Sequence, residues 1–305
     1  MYDIVVVGAG PAGLTAAIYA RRAEKSVLVI EKEGFGGQIT HSPRVENYPG
    51  FSALSGQELG DLMLEQALGL GAEVEFETVT GISGEKGNIT VATEYGEYTA
   101  KAVILATGSK HRTLGIEGEE KYTGEGISYC AVCDGAFYKD RSVAMIGGGN
   151  SALVEAVLLS ESCSSVTVVQ NLAFLTGEKK LAEILGKKDN VRIILSTVVD
   201  SIIEENGAFG GIRIRNTESG ETEELRVDGM FVAIGQVPEC RPFADVITLN
   251  PQGYAEAGED CLPESRLEGV FVAGDCRTKA IRQVTTATAD GAVAALAACR
   301  FNDSL

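Results

Sequence analysis

Apolar residues along this chain gather in short runs that end on glycine. Asp3 to Val7 reads as a strand, because a run of this length stops at a turn instead of continuing with a helical period. Gly8-Ala9-Gly10-Pro11-Ala12-Gly13 follows, then a helix-like run from Leu14 to Arg22 and a second strand, Ser26 to Ile30, that ends at Glu31. Strand, glycine turn, helix and strand make a βαβ unit with an acid about 20 residues past the turn. Near position 140 the pattern begins again. Ser142 to Ile146 is apolar, Gly147-Gly148-Gly149-Asn150-Ser151-Ala152 is the turn, Leu153 to Ser160 suits a helix, and Val166 to Val169 is the next strand. Two copies of one unit predict an α/β chain with two Rossmann-like, three-layer nucleotide-binding domains.

Two further strand-and-glycine signals flank the second copy. Ala102 to Ala106 leads into Thr107-Gly108, and Gly229 to Ile234 leads into Gly235. At each the chain can pass from one domain to the other, which places crossings near residues 112 and 240. From Val270 the chain returns to the first domain. Phe271-Val272-Ala273-Gly274-Asp275 is a strand ending in a Gly-Asp turn, and a helix from about Gln283 to Arg300 follows. The expected organisation is a discontinuous domain, 1–112 with 241–305, and a second domain, 113–240, inserted in it.

Composition narrows the function. The 305 residues suffice for two domains that each bury a core, and the 37 glycines cluster in turns instead of repeating. A net charge of −17 argues against a general binder of nucleic acid or anionic membrane. Lys179, Lys180, Lys187 and Lys188 read as a solvated helix face. No stretch approaches the ~18 apolar residues of a membrane helix. The apolar start, Ile4 to Val7, is too brief for a secretory signal and lacks a basic lead-in. The expected location is the cytoplasm. Of the seven cysteines, Cys163, Cys240, Cys261, Cys276 and Cys299 are scattered and read as small buried hydrophobes.

The first turn carries the strongest nucleotide signal. Gly8 permits the tight bend, Gly10 lets the backbone approach a pyrophosphate, and Gly13 lets helix and strand pack closely. The helix start adds free N–H groups and partial positive charge. Glu31 is placed to accept hydrogen bonds from an adenosine ribose. A second glycine turn, Gly34-Phe35-Gly36-Gly37-Gln38, and the distant Gly274-Asp275 element favour FAD over NAD, because a long flavin needs contacts from separated parts of one domain. Asp275 by itself also reads as a helix cap.

Cys130 and Cys133 form the one CxxC pair, in Tyr129-Cys130-Ala131-Val132-Cys133-Asp134-Gly135. Thiol–disulfide exchange needs two cysteines that close a small ring reversibly, and a CxxC at a helix start has that geometry with a lowered thiol pKa. Asp134 is placed to supply or accept the proton. A zinc site would want a second Cys or His pair, and His41 and His111 stand isolated. No metal site is expected.

These motifs, in this order along essentially the whole chain, resemble the low-molecular-weight thioredoxin reductases. In the larger glutathione reductase type the redox cysteines sit early in the FAD domain, and here Gly36 to Thr40 holds none. The resemblance implies FAD contacts at Gly8, Gly10, Gly13, Glu31, Gly37, Gln38, Asn47, Val79, Gly108, Gly274, Asp275, Arg282, Gln283 and Val284, a homodimer, and thioredoxin as the protein substrate. It also implies catalytic roles for Cys130, Cys133 and Asp134, and a domain rotation about the two crossings.

The chain departs from the NADPH-using members at one place. These carry a His-Arg-Arg run and a further Arg after the second strand of the second fold, where guanidinium groups grip the 2′-phosphate. Here that place reads Gln170-Asn171-Leu172-Ala173-Phe174-Leu175-Thr176-Gly177. A phosphate without cationic partners loses several kcal/mol of charge-assisted hydrogen bonds, on the order of a hundredfold in affinity. A branch of the family takes electrons from ferredoxin and uses no pyridine nucleotide, and ferredoxin is the expected donor. Arg21, Arg22 and Lys25 are the candidate docking patch, against the overall negative charge. The alternatives are a weak or NADH-type nicotinamide site, another kind of flavin oxidoreductase, and a flavin-binding redox sensor without turnover.

Overall fold

The computed structural model describes residues 1–263 and 265–305. The chain divides into two compact units, residues 1–110 with 237–305, and residues 111–236.

The first unit opens with β1 (Tyr2–Val7), α1 (Pro11–Arg22) and β2 (Val27–Glu31). Pro11 starts α1, where its fixed φ suits a helix and its missing N–H costs nothing. After a 3₁₀ turn, Gly37–His41, comes α2 (Gly56–Gly69), entered through a capping box in which Ser55 and Glu58 satisfy each other's backbone N–H. Strands β3 (Glu73–Phe76), β4 (Val79–Glu85), β5 (Asn88–Thr93) and β6 (Glu97–Leu105) complete this part.

The chain then runs through β7 (Ser109–His111) into the second unit. There follow α3 (Glu119–Tyr122), β8 (Ile127–Ser128), α4 (Ala131–Asp134), β9 (Ser142–Ile146), α5 (Asn150–Ser160), β10 (Ser165–Val169), α6 (Lys179–Leu185) and β11 (Val191–Ile194). Strands β12 (Thr197–Glu205), β13 (Ala208–Asn216), β14 (Thr222–Leu225) and β15 (Gly229–Val232) come next. The return passes through β16 (Gln236–Pro238), then β17 (Val270–Val272) and α7 (Val284–Asp303) in the first unit.

In the first unit the order is β3-β2-β1-β6, all parallel. Besides β1, the long β6 serves two further partners: its start pairs antiparallel with β5, and Val103–Leu105 pair parallel with β17. That pairing returns the chain's end to its first sheet and brings Gly274-Asp275 to the same edge as the turn after β1. Helices α1 and α7 pack so closely that a Cβ at Gly291 would lie 2.1 Å from the Ala12 carbonyl oxygen. One face of the sheet is covered by a core including Ile4, Val6, Leu14, Val29 and Ile104, the other by one including Val5, Val7, Leu28, Ile30 and Leu105. A strand buried on both faces reads as a continuous apolar run, which is the pattern of β1 and β2.

The second unit repeats the plan with a parallel sheet, β11-β10-β9-β15-β8, and adds an antiparallel sheet, β12-β13-β14. Its cores lie on the two faces of β9 and β15, around Val143, Met145, Leu153 and Phe231, and around Ala144, Ile146, Met230 and Val232. Among the described residues no helix is long and apolar enough to cross a membrane.

Candidate active site

The turn after β1 is built by contact, not by composition alone. Gly8 stands at φ +104°, and a Cβ there would fall 2.4 Å from the Ala106 carbonyl oxygen at the end of β6. At Gly13 a Cβ would fall 1.8 Å from the Gly8 oxygen, so only glycine lets α1 begin this close to the strand. Gly36 N–H donates to the Ala9 oxygen at 2.8 Å, and a Cβ at Gly37 would lie 3.0 Å from the Gly10 Cα. The two glycine turns are therefore walls of one cradle at the start of α1. Gly274 closes against Ala12 beside it.

Glu31 is buried, and backbone N–H groups hold both its oxygens. It accepts from Ala9 N–H (2.7 Å) through Oε2, and through Oε1 from Lys32 (2.9 Å) and Glu33 (2.8 Å). It thus ties the first turn to the loop after β2, and Oε2 keeps capacity for a further donor. Asp275 is no helix cap: it lies in a 3₁₀ turn, and its buried Oδ1 has no hydrogen-bond partner among the described residues, with the Lys279 ammonium 3.5 Å away. Burial pushes its carboxyl pKa up, and the cations of Lys279 and Arg282 oppose that. A buried acceptor met only by an ion pair at 3.5 Å, at the rim of such a cradle, fits a hydroxyl-bearing ligand. Arg282 stacks on the Tyr254 ring at 4.2 Å and donates to the Asp275 carbonyl at 3.4 Å. Asn47 Nδ2 donates to Gln283 Oε1 at 3.3 Å, which joins two more expected contacts at the start of α7, next to Val284. Gln38 is exposed beside Gly37, and Gly108 takes φ +69° just beyond β6 with open space where a Cβ would stand. Val79 differs from the rest: its side chain is in the core under the sheet, so any contact from it would come through backbone.

In the second unit Cys130 and Cys133 are joined as a disulfide with their Cα atoms 5.3 Å apart. Cys130 caps α4, and its Sγ accepts Cys133 N–H at 3.2 Å. Both are half-buried, while Val132 between them is exposed. Asp134 Oδ2 accepts a 2.6 Å hydrogen bond from Ser128 Oγ, and Asp134 Oδ1 is buried with no partner among the described residues. Burial raises the Asp134 pKa, and the Ser128 hydrogen bond partly offsets it. This is the environment a proton-transferring carboxyl needs. Ahead of the pair, the Tyr129 ring stacks on His111 (5.2 Å), and its hydroxyl donates to the buried Glu119 (2.8 Å).

Two residues here escaped the sequence reading. Ser128 stands only two positions before Cys130, and a hydroxyl there is a local signal that could have been taken. Glu155, on α5, accepts Ala131 N–H at 3.1 Å, and no spacing rule connects it with the cysteines.

The second glycine turn is folded against its own loop. The Gly148 carbonyl accepts Thr176 N–H (2.8 Å) and Gly177 N–H (2.9 Å), and Asn150 Oδ1 accepts Glu178 N–H (2.7 Å). Gln170 is buried, and its side chain lies 2.5–2.9 Å from where a Gly148 Cβ would be. No cation stands in this loop. The basic patch on α1 is also mostly engaged. Arg21 donates to the Leu70 (3.0 Å) and Lys25 (2.7 Å) carbonyls, and Lys25 pairs with Asp303, which among the described residues leaves Arg22 as the cation of the patch without such a role. All five remaining cysteines are buried, but Cys240 and Cys276 are not isolated: Cys240 Sγ donates to the Cys276 carbonyl at 3.2 Å.

Two dinucleotide-type units with a CxxC disulfide in the second define a nucleotide-linked disulfide oxidoreductase. The family profile described as "Pyridine nucleotide-disulphide oxidoreductase" matches residues 2–291. The chain is 39% identical over 305 residues to a thioredoxin reductase of Bacillus subtilis (strain 168), covering 100% of this chain and 96% of that one. It is 43% identical over 300 residues to a "34.2 kDa protein in rubredoxin operon" of Clostridium pasteurianum, covering 98% and 96%. The crystal structure of thioredoxin reductase from Streptococcus pyogenes MGAS5005 superposes with a TM-score of 0.93 at 37% identity, covering 100% and 99%. The chain belongs to the pyridine nucleotide-disulphide oxidoreductases, within them to the thioredoxin reductase family of low molecular weight. These are FAD-binding flavoproteins, and the cradle of the first unit fits that cofactor.

Proposed function

We propose that this protein reduces the disulfide of thioredoxin or a thioredoxin-like protein through Cys130 and Cys133, with electrons that reach FAD from ferredoxin. The observation that carries the reading is the Cys130–Cys133 disulfide beside a buried carboxyl, Asp134, with an open oxygen.

Gly8, Gly10, Gly13 and Gly37 would hold the pyrophosphate of FAD, Glu31 the ribose, and Asp275 a hydroxyl of the ribityl chain. Gln38, Asn47, Val79, Gly108, Gly274, Arg282, Gln283 and Val284 complete the set. Bound FAD supplies an acceptor that takes one electron at a time and passes on two. In the reduced protein one sulfur of the pair attacks the substrate disulfide, and the leaving sulfur takes a proton. The second sulfur then breaks the mixed disulfide and restores the Cys130–Cys133 bond. Asp134 receives the proton released from the second thiol and passes it to the substrate sulfur that leaves the mixed disulfide.

The donor assignment rests on the cation-free loop Gln170–Gly177, which offers nothing to a 2′-phosphate. A homodimer through the first unit is supported by exposed apolar side chains on its helices, namely Tyr19 on α1, Leu62 on α2, and Val293 and Leu296 on α7.

The test is anaerobic mixing with NADPH, NADH or reduced ferredoxin while flavin absorbance is followed. Bleaching by ferredoxin alone is the expected result. Rapid bleaching by micromolar NADPH returns the chain to the nicotinamide-dependent reading.

A further inference from the structure

Glu155 is the second carboxyl at the redox pair, and the chemistry described so far makes no use of it. Its Oε2 accepts the N–H of Ala131, the peptide group directly after Cys130, at 3.1 Å. The contact joins α5, which begins at the second glycine turn, to α4, which carries the disulfide. We propose that Glu155 is a positioning residue that holds a proton for the Cys130–Cys133 couple, acting through the Ala131 amide. The proposal rests on the reading of that pair as the redox site.

Two things set the proton affinity of this carboxyl. Burial pushes it up to about 7, and the Ala131 N–H holds it back. Among the described residues the elements packed most heavily on α5 are α4, α6, β9 and β10, and the turn Gly135–Tyr138 reaches α5 at Leu159, with Tyr138 as its titratable group. From α4 the titratable groups are Cys133 and Asp134, with Cys130 at its cap; from α6 they are Lys179, Lys180 and Glu183; β9 and β10 contribute none. Asp134 is held by Ser128, so the two carboxyls have separate partners. Near neutral pH Glu155 is divided between its two forms, and it is joined by one hydrogen bond to the peptide directly after Cys130.

Dithiothreitol, as the reductant, supplies the electrons and protons of the step. Its two sulfurs close into a ring and release two electrons and two protons. The Cys130–Cys133 bond breaks, one sulfur becomes a thiol and the other a thiolate. One proton goes to that thiol, and the other to the carboxylate of Glu155. A thiolate formed at the residue before the Ala131 amide that Glu155 binds makes the carboxylate less favourable, so the carboxyl takes up its proton as the pair is reduced. Above pH about 7 this uptake adds one proton to the reduction, a tenfold change in the equilibrium per pH unit, or about 30 mV for a two-electron couple.

The experiment is an anaerobic redox titration of the full-length flavin-loaded protein and its E155Q variant in dithiothreitol buffers from pH 6 to 8.5. The thiols are trapped by alkylation and counted by mass. At pH 6 the two proteins are expected to agree, and at pH 8.5 the E155Q disulfide should be reduced roughly tenfold more readily. A variant-to-wild-type ratio that stays constant with pH means a purely structural role and overturns the proposal. A wild-type pair that resists dithiothreitol throughout overturns the functional reading and this inference together. If E155Q does not accumulate as folded protein, the infrared difference between reduced and oxidised D134N at pH 7.5 replaces it. A protonated carboxyl band gained on reduction supports Glu155, and its absence overturns the assignment.

Discussion

Ser128 donates a 2.6 Å hydrogen bond to Asp134, and its oxygen also accepts the N–H of Cys130 at 3.1 Å. One hydroxyl therefore fixes the acid and the first cysteine to each other. Ser128→Ala removes the bond that favours the ionised carboxylate, so the Asp134 pKa rises further. The expected result is a fall of roughly tenfold in turnover with a thioredoxin substrate at pH 7, as one hydrogen bond to a charged group is worth about 1.5 kcal/mol or more. The acid limb of the pH–rate profile should move to higher pH. An unmoved limb would show that Asp134 is held by other means.

Gly13→Ala tests the cradle. The added Cβ would be 1.8 Å from the Gly8 oxygen, a backbone atom that cannot yield without opening the turn. A loss of about 3 kcal/mol or more is expected, together with poor flavin retention. Thermal melting and the absorbance ratio of flavin to protein report the two effects.

Glu155 also makes stability depend on pH. Its carboxyl pKa rises from 4.5 to about 7 on folding, so between these values the folded chain holds a proton that the unfolded chain has lost. The ionised form is the disfavoured one in the fold. Its contribution is neutral below pH about 4.5, and stability falls as pH climbs toward 7. Glu155→Gln lacks this term. Relative to wild type it should gain up to about 3 kcal/mol between pH 5 and pH 8. Urea unfolding of the oxidised proteins at both pH values measures it, and an equal difference at both would contradict the raised pKa.

The loop Gln170–Gly177 is open to a gain of function. Asn171→Arg, Leu172→Arg and Thr176→Arg together place guanidinium groups in the loop where the resemblance puts the 2′-phosphate of NADPH. NADPH affinity should rise on the order of a hundredfold, read as the NADPH concentration that bleaches half the flavin. No gain would mean that the packing of Gln170 on Gly148 excludes the nucleotide whatever the charge.

The features legible in the sequence are those whose cause lies within a few residues. A glycine turn between an apolar strand and a helix is dictated locally, because Gly8 and Gly13 must approach each other and the strand end. The CxxC disulfide is local in the same sense. The strand from Ser142 to Ile146 coincides with β9, while α7 runs Val284–Asp303, three residues beyond the expected end. The chemistry of isolated side chains was harder to read. Arg21 and Lys25 look like free surface cations in one dimension. In three dimensions they hold Leu70 and Asp303, which are 49 and 278 positions away.

The amino-acid order alone determined two nucleotide-type units, a CxxC pair between the glycine turns, and a loop, Gln170–Gly177, without a cationic residue. Only the tertiary structure decided that Glu31 is held by backbone amides, that Asp275 is left with an open oxygen, and that Glu155 meets the peptide after Cys130. The physical reason is range. Turn and strand preferences are set by neighbours along the chain, whereas the proton affinity of a carboxyl is set by whatever the fold packs around it.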